Sequence, residues 1–341
     1  MKKLRVLVLV HEDLVPPESL DGIPDDQIRE WKTEFDVITT LREVGHDVHP
    51  LGVVDDLGKI RRAILDWKPH ITFNLLEEFH GIGVFDQHVV SYLELMRQPY
   101  TGCNPRGLML SRDKPLGKKI LHYHRIATPR FVVFPLGRAV KPPKRSPYPL
   151  LVKSTVEDAS LGITQDSVVS DETKLIEQVA RVHNEVKTDA LVEEYIEGRE
   201  LYVGVMGNQR LQTFPVWEMV FEKKPDDMRP IATRRVKWDV EFQKKIGLKT
   251  HAATNLPTGI EEKINRLCKR IYRALDISGY ARMDLRLTAD DEIYVLEANP
   301  NPNLEYGEDL AESAEAAGIS YEALLRRILN LGLRYHAPWR G

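Results

Sequence analysis

Two β-type runs near the C-terminus, Tyr280 to Leu287 and Glu292 to Asn299, flank a polar turn at Asp290 and Asp291 and read as a hairpin. With a two-residue loop, the pairing sets Asp284 opposite Glu297 and Arg282 opposite Asn299. Because side chains alternate with period two, all four then project from one face. A three-residue turn breaks that alignment unless a bulge restores it. Met283, Leu285, Leu287, Ile293, Val295 and Leu296 are apolar, so the polar stripe is pressed against a core and not spread over a solvated sheet. Three oxygen-bearing side chains and a guanidinium therefore converge. Hard cations such as Mg²⁺ take carboxylate and carbonyl oxygens together with substrate phosphates, and Arg suits charge developing on a phosphoryl or tetrahedral centre. The rival arrangement, a surface ion-pair ladder, fits the apolar flanks less well.

The rest of the chain sets this hairpin in a multidomain protein. Its 341 residues exceed one ordinary domain. Residues 1–105 alternate strands at Leu4–Val10, Asp47–Val54 and Ile71–Leu76 with amphipathic helices, the pattern of βαβ units and a mostly parallel sheet. Residues 106–198 begin with a Lys-rich helix and continue through strands at Phe131–Phe134, Leu150–Lys153 and Ala190–Ile196, with a connector containing Pro142, Pro143, Pro147 and Pro149. Residues 199–341 hold the hairpin, further β-type runs and helices. The expected class is α/β and α+β in three domains.

A formal charge of −3 argues against a nucleic-acid partner. The apolar run Val6–Val10 is too short to span a bilayer and reads as a buried strand. Two cysteines, Cys103 and Cys268, make no disulfide framework and fit a reducing, cytoplasmic setting as small core residues.

PYTG at 99–102, SRDKPLGKKIL at 111–121, TPRFVVF at 128–134, PLLVKSTVEDASLGI at 149–163, LVEEYIEGRE at 191–200, GYARMDLRL at 279–287 and YVLEANPNPNL at 294–304 together resemble the ATP-grasp ligases, and among them the D-alanine–D-alanine ligases. The resemblance implies a three-domain ATP-grasp architecture: an N-terminal parallel-sheet domain, and ATP held between two antiparallel sheets. It implies ATP with Mg²⁺ or Mn²⁺, a carboxylate activated as an acyl phosphate, an amine that attacks it, and a homodimer. By position, Lys114 and Lys153 resemble the phosphate-contacting lysines, and Lys237 a γ-phosphate lysine. Glu193, Glu194, Tyr195 and Ile196 resemble the hinge that reads adenine, and Glu200 the ribose-binding acid. Asp284, Glu297 and Asn299 match the metal ligands, Arg282 the residue that stabilises the tetrahedral oxyanion, and Ser160 a member of the loop covering the phosphates. That loop departs from the family, with Asp158 and Ala159 where Gly and Ser are usual.

The amino-acid half of the pattern departs further. His11, Glu12 and Asp13 replace the Gly- and Ser-rich turn after the first strand, leaving Glu12 or Glu18 to meet a substrate ammonium. Glu308 and Asp309 fall where the family receives a substrate carboxylate, which they would repel. The expected protein is an ATP-dependent carboxylate–amine ligase with an altered amino-acid site. A genuine D-alanine–D-alanine ligase and a nucleotide-binding sensor or scaffold without catalysis are the alternatives.

Overall fold

The computed structural model describes residues 3–19, 22–141, 147–156, 162–226 and 228–340. Ser160 and its neighbours at 157–161, and Pro142 and Pro143 of the connector, lie outside them. Three sheets carry the architecture. In the first, β1 (Arg5–His11) lies between β2 (Asp47–Val53) and β3 (Ile71–Asn74), all parallel. Val6 to Val10 are fully buried because helices cover both faces.

The second sheet is antiparallel, with β4 (Phe131–Phe134), β5 (Leu150–Ser154), β6 (Val168–Val169) and β7 (Ala190–Glu194) in the order β4-β7-β5-β6. One face, with Leu150, Val152, Ala190 and Val192, packs on the helix Glu172–Arg181 through Leu175 and Val179. The register Leu151↔Glu193 and Lys153↔Leu191 leaves Lys153 and Glu193 together on the other face.

The third sheet is built from β8 (Arg199–Met206), β9 (Gln212–Thr213), β10 (Trp217–Phe221), β11 (Leu248–Ala252), β12 (Tyr280–Leu287) and β13 (Ile293–Pro300). Its order is β11-β10-β8-β12-β13, with β9 on β8. Leu201, Val203, Val205, Ala281, Met283, Leu285 and Val295 point into one core against the helix Ile260–Ala274. The alternation therefore sends Glu200, Tyr202, Arg282, Asp284 and Arg286 to the opposite face.

The first amphipathic stretch of residues 1–105 forms two helices, Asp25–Ile28 and Lys32–Glu43, and β9 is only two residues long. Cys103 and Cys268 are free and buried, as expected. The last helices, Asp309–Ala316 and Tyr321–Arg334, return to the first sheet: Leu310, Leu324 and Ile328 share its core with Val6 and Val8. Gly332 permits this approach, since a Cβ there would lie 2.2 Å from the Tyr100 carbonyl oxygen.

Candidate active site

The hairpin turn contains three residues, not two. Thr288 N–H donates to the Glu292 carbonyl at 2.9 Å, and Asp291 takes a left-handed φ of 61°. This shifts the register next to the turn, giving Leu287↔Ile293 and Leu285↔Val295. A bulge at Leu296 restores it, so Asp284↔Glu297 and Arg282↔Asn299 pair as the sequence requires. The bulge also turns the Leu296 carbonyl toward Lys118, whose Nζ donates to it at 3.3 Å.

Arg282 grips Asp284 with both arms, Nε to Oδ1 at 2.7 Å and Nη2 to Oδ2 at 2.9 Å, and lies over the Tyr202 ring. Its Nη1 is 3.7 Å from Asp309 Oδ2. Asn299 donates an amide N–H to Asp284 Oδ2 at 2.9 Å, which leaves its carbonyl oxygen available to ligate a cation. Glu297 accepts no hydrogen bond from any described residue, and Lys114 Nζ stands 3.8 Å from Oε2. Burial would raise the Glu297 carboxyl, but Lys114, Lys153, Lys237 and Arg282 together overrule it and hold it at about 2. Asp284 is shifted the other way, because burial outweighs its Arg282 clasp.

Above this face sits a buried Lys–Glu–Lys bridge. Glu193 Oε1 is 2.8 Å from Lys153 Nζ, and Oε2 is 3.0 Å from Lys118 Nζ. Burial opposes all three charges, yet the two lysines keep Glu193 below the ordinary carboxylate value. Glu193 and Glu297 hold Lys153 above its usual value. Lys118 is lowered by burial and by its neighbour Lys153. Lys114 and Lys118 are buried in the helix Lys114–Tyr123, whose start Asp113 caps through the Leu116 N–H at 2.9 Å. They are not the solvated helix start that the run of lysines resembles.

The structure thus brings Lys114, Lys153, Lys237, Arg282, Asp284, Glu297 and Asn299 to one place. Lys237, on the helix Arg234–Trp238, is close enough to act on both Asp284 and Glu297. Glu200 lies on the same face but is engaged within the protein, with Oε2 2.7 Å from Arg286 Nη2 and Oε1 accepting from the Tyr202 hydroxyl at 2.9 Å. In the hinge, Glu194 N–H donates to the Arg130 carbonyl and Tyr195 N–H to the Pro149 carbonyl. The Ile196 N–H has no partner among the described residues. A cleft of about 430 Å³ lined by Tyr195, Glu197, Gly198, Met228 and Arg229 adjoins it.

Lys118, Arg286 and Tyr202 belong to the site but are absent from the sequence assignment. Two of them carried a readable signal. Arg286 is in period-two phase with Arg282 and Asp284, and Lys118 is one helical turn from Lys114.

The comparisons with known proteins bear on this geometry. Residues 124–330 match the family described as "D-ala D-ala ligase C-terminus". The chain belongs to the D-alanine–D-alanine ligase family. A D-alanine–D-alanine ligase of Bordetella petrii is 30% identical over 264 residues, covering 76% of each chain. An uncharacterized protein of Sinorhizobium fredii is 32% identical over 309 residues, covering 87% of this chain and 86% of its own. The Bacillus anthracis D-alanine–D-alanine ligase complexed with ATP shares the fold with a TM-score of 0.73 at 24% identity, over 97% of this chain and 98% of that one. The expected ATP-grasp architecture is therefore the observed one. Among the described residues, no helix is long and apolar enough to cross a membrane. Among the same residues, no group of three or more His, Cys, Asp or Glu side chains is placed to hold a metal ion.

Proposed function

We propose that this member of the D-alanine–D-alanine ligase family is an ATP-dependent carboxylate–amine ligase acting through an acyl phosphate, with an acceptor end rebuilt around carboxylates. The observation that carries the reading is the Asp284, Glu297 and Asn299 oxygen set lying beneath Lys114, Lys153, Lys237 and Arg282. Such alternation of sign suits a polyphosphate and its metal ions. The set fits Mg²⁺ or Mn²⁺: all are hard oxygens, and among the described residues neither the Glu297 carboxylate nor the Asn299 carbonyl is consumed by a hydrogen bond. Once bound, the metal neutralises phosphate charge.

Lys153, steadied by Glu193, and Lys114 would hold the phosphate oxygens, and Lys237 would meet the γ-phosphate. The hinge Glu193, Glu194, Tyr195 and Ile196 would read adenine, with the Ile196 N–H as the uncommitted donor. Glu200 would take the ribose hydroxyls as a third partner beside Arg286 and Tyr202. Ser160 would cover the phosphates. The γ-phosphoryl passes to the donor carboxylate, and the amine nitrogen attacks the resulting acyl carbon. The C–O bond to phosphate breaks, and the nitrogen's proton leaves with the phosphate. Arg282 would stabilise the tetrahedral oxyanion.

The altered acceptor end is supported by Asp309, which lies 3.7 Å from Arg282. A substrate carboxylate brought there meets another carboxylate, whereas an amine does not. The relative from Bordetella petrii favours a genuine D-alanine–D-alanine ligase as the second reading. Release of ADP with Mg²⁺ and ATP, against D-alanine and against other acid and amine pairs, separates the two. Glu297→Gln should leave a folded protein and cut ADP release about a thousandfold with every acceptor. Retained turnover would overturn the metal role.

A further inference from the structure

Glu34, in the first turn of the helix Lys32–Glu43, is only 6% exposed. Its carboxylate reaches its own backbone N–H and no other described residue. Its charged neighbours are Glu77 and Glu305, which share its sign. Burial first, and then these two carboxylates, push Glu34 up to about 7. Lys32, two residues away, is committed elsewhere: its Nζ lies 2.7 Å from Asp36 and 3.4 Å from Glu305.

The surroundings are held firmly. Thr33 donates to the Asn303 side chain at 2.8 Å, Lys32 to the Tyr306 carbonyl at 3.1 Å, and the Tyr306 N–H to Asp36 at 3.1 Å. The loop that follows the metal-ligand strand is thereby latched to the first domain beside Glu34. From this buried carboxylate the row runs through the half-buried Glu305 and the exposed Glu308 to Asp309, which borders Arg282. Glu77 is exposed at its other edge. Glu12, which with Glu18 is one of the two residues that the sequence offers to meet an ammonium, is paired with Lys59 at 2.6 Å on the surface instead.

We propose that this row is the binding subsite for an amine acceptor carrying a second, protonated amino group, such as a diamine or a basic amino acid. The proposal rests on the ligase reading and specifies its acceptor. One amine is presented near Arg282 and Asp309, where the acyl phosphate forms, and the distal ammonium sits on Glu34 between Glu77 and Glu305. A cation there converts an uncompensated buried carboxylate into a charge-assisted pair.

The test is titration of the protein with Mg-ADP present, using 1,4-diaminobutane and 1-aminobutane as matched probes. The diamine should bind at least about tenfold more tightly, as expected for one charge-assisted hydrogen bond. That preference should collapse in Glu34→Gln, shrink in Glu77→Gln and persist in the surface control Glu12→Gln. Equal binding of the two probes, binding of neither, or a preference that survives Glu34→Gln would overturn the proposal. ADP release keeps the two readings apart. Turnover with neutral acceptors and no diamine preference sinks the subsite alone, whereas a Glu34-dependent preference without any turnover upholds the subsite and sinks the ligase reading.

Discussion

Two regions of the molecule treat buried carboxylates in opposite ways. Around the hairpin face, Glu193 lies between two buried lysines and Glu297 beneath four cations, so both are held below the ordinary carboxylate range. At the start of the helix Lys32–Glu43, Glu34 is buried among carboxylates and is pushed up to about 7. Burial opposes ionisation in every case. What differs is whether the fold supplies the counter-charge. The hairpin face carries its own counter-charges, whereas the surroundings of Glu34 add further negative charge.

The largest effect should come from the compensated side. Glu193→Gln leaves Lys118 and Lys153 facing each other without an anion, and should cost about 3–5 kcal/mol in urea unfolding. A loss below about 1 kcal/mol would show that water reaches the bridge.

Next comes the same substitution in the other region, with the opposite sign. The folded pKa of Glu34 lies above its unfolded value of 4.5. As pH rises from about 4.5 toward 8, the unfolded chain therefore ionises before the folded one, and Glu34 costs stability. Glu34→Gln should raise stability at pH 8 by up to about 3 kcal/mol, with the gain vanishing near pH 4.5. A loss at pH 8 would show that Glu34 is compensated after all.

Glu193 should give the mirror-image pH dependence. Its folded value lies below the unfolded 4.5. Its contribution is present above that pH and fades as acid reaches the folded value, so the gap between wild type and Glu193→Gln should narrow in acid. The smallest effect belongs to Glu12→Gln, an exposed ion pair whose removal should leave Tm unchanged within error.

Much of the compensated half was legible in sequence because strand periodicity is local. The alternation in GYARMDLRL and YVLEANPNPNL fixes which side chains share a face, and the register follows once the turn is known. The choice between a two-residue and a three-residue turn is left open by the sequence, since loop length is a backbone matter that Asp290 and Asp291 do not specify alone. The bulge at Leu296 restores the pairing. Lys118 was overlooked because a run of lysines looks solvated until the packing of its helix buries one face.

The acidic residues beside Arg282 were legible only as a departure from the family. Glu308 and Asp309 stood out as misplaced acids, but Glu34 lies about 270 residues away along the chain from that loop and gave no local sign. Sequence by itself therefore determined the elements, the shared faces and the oxygen set of Asp284, Glu297 and Asn299, because these depend on neighbours in the chain and on one hairpin. Tertiary structure alone decided which charges are compensated. That depends on which side chains distant in sequence meet in a buried place, where a charge's environment is set by its surroundings in space and not by its neighbours in sequence.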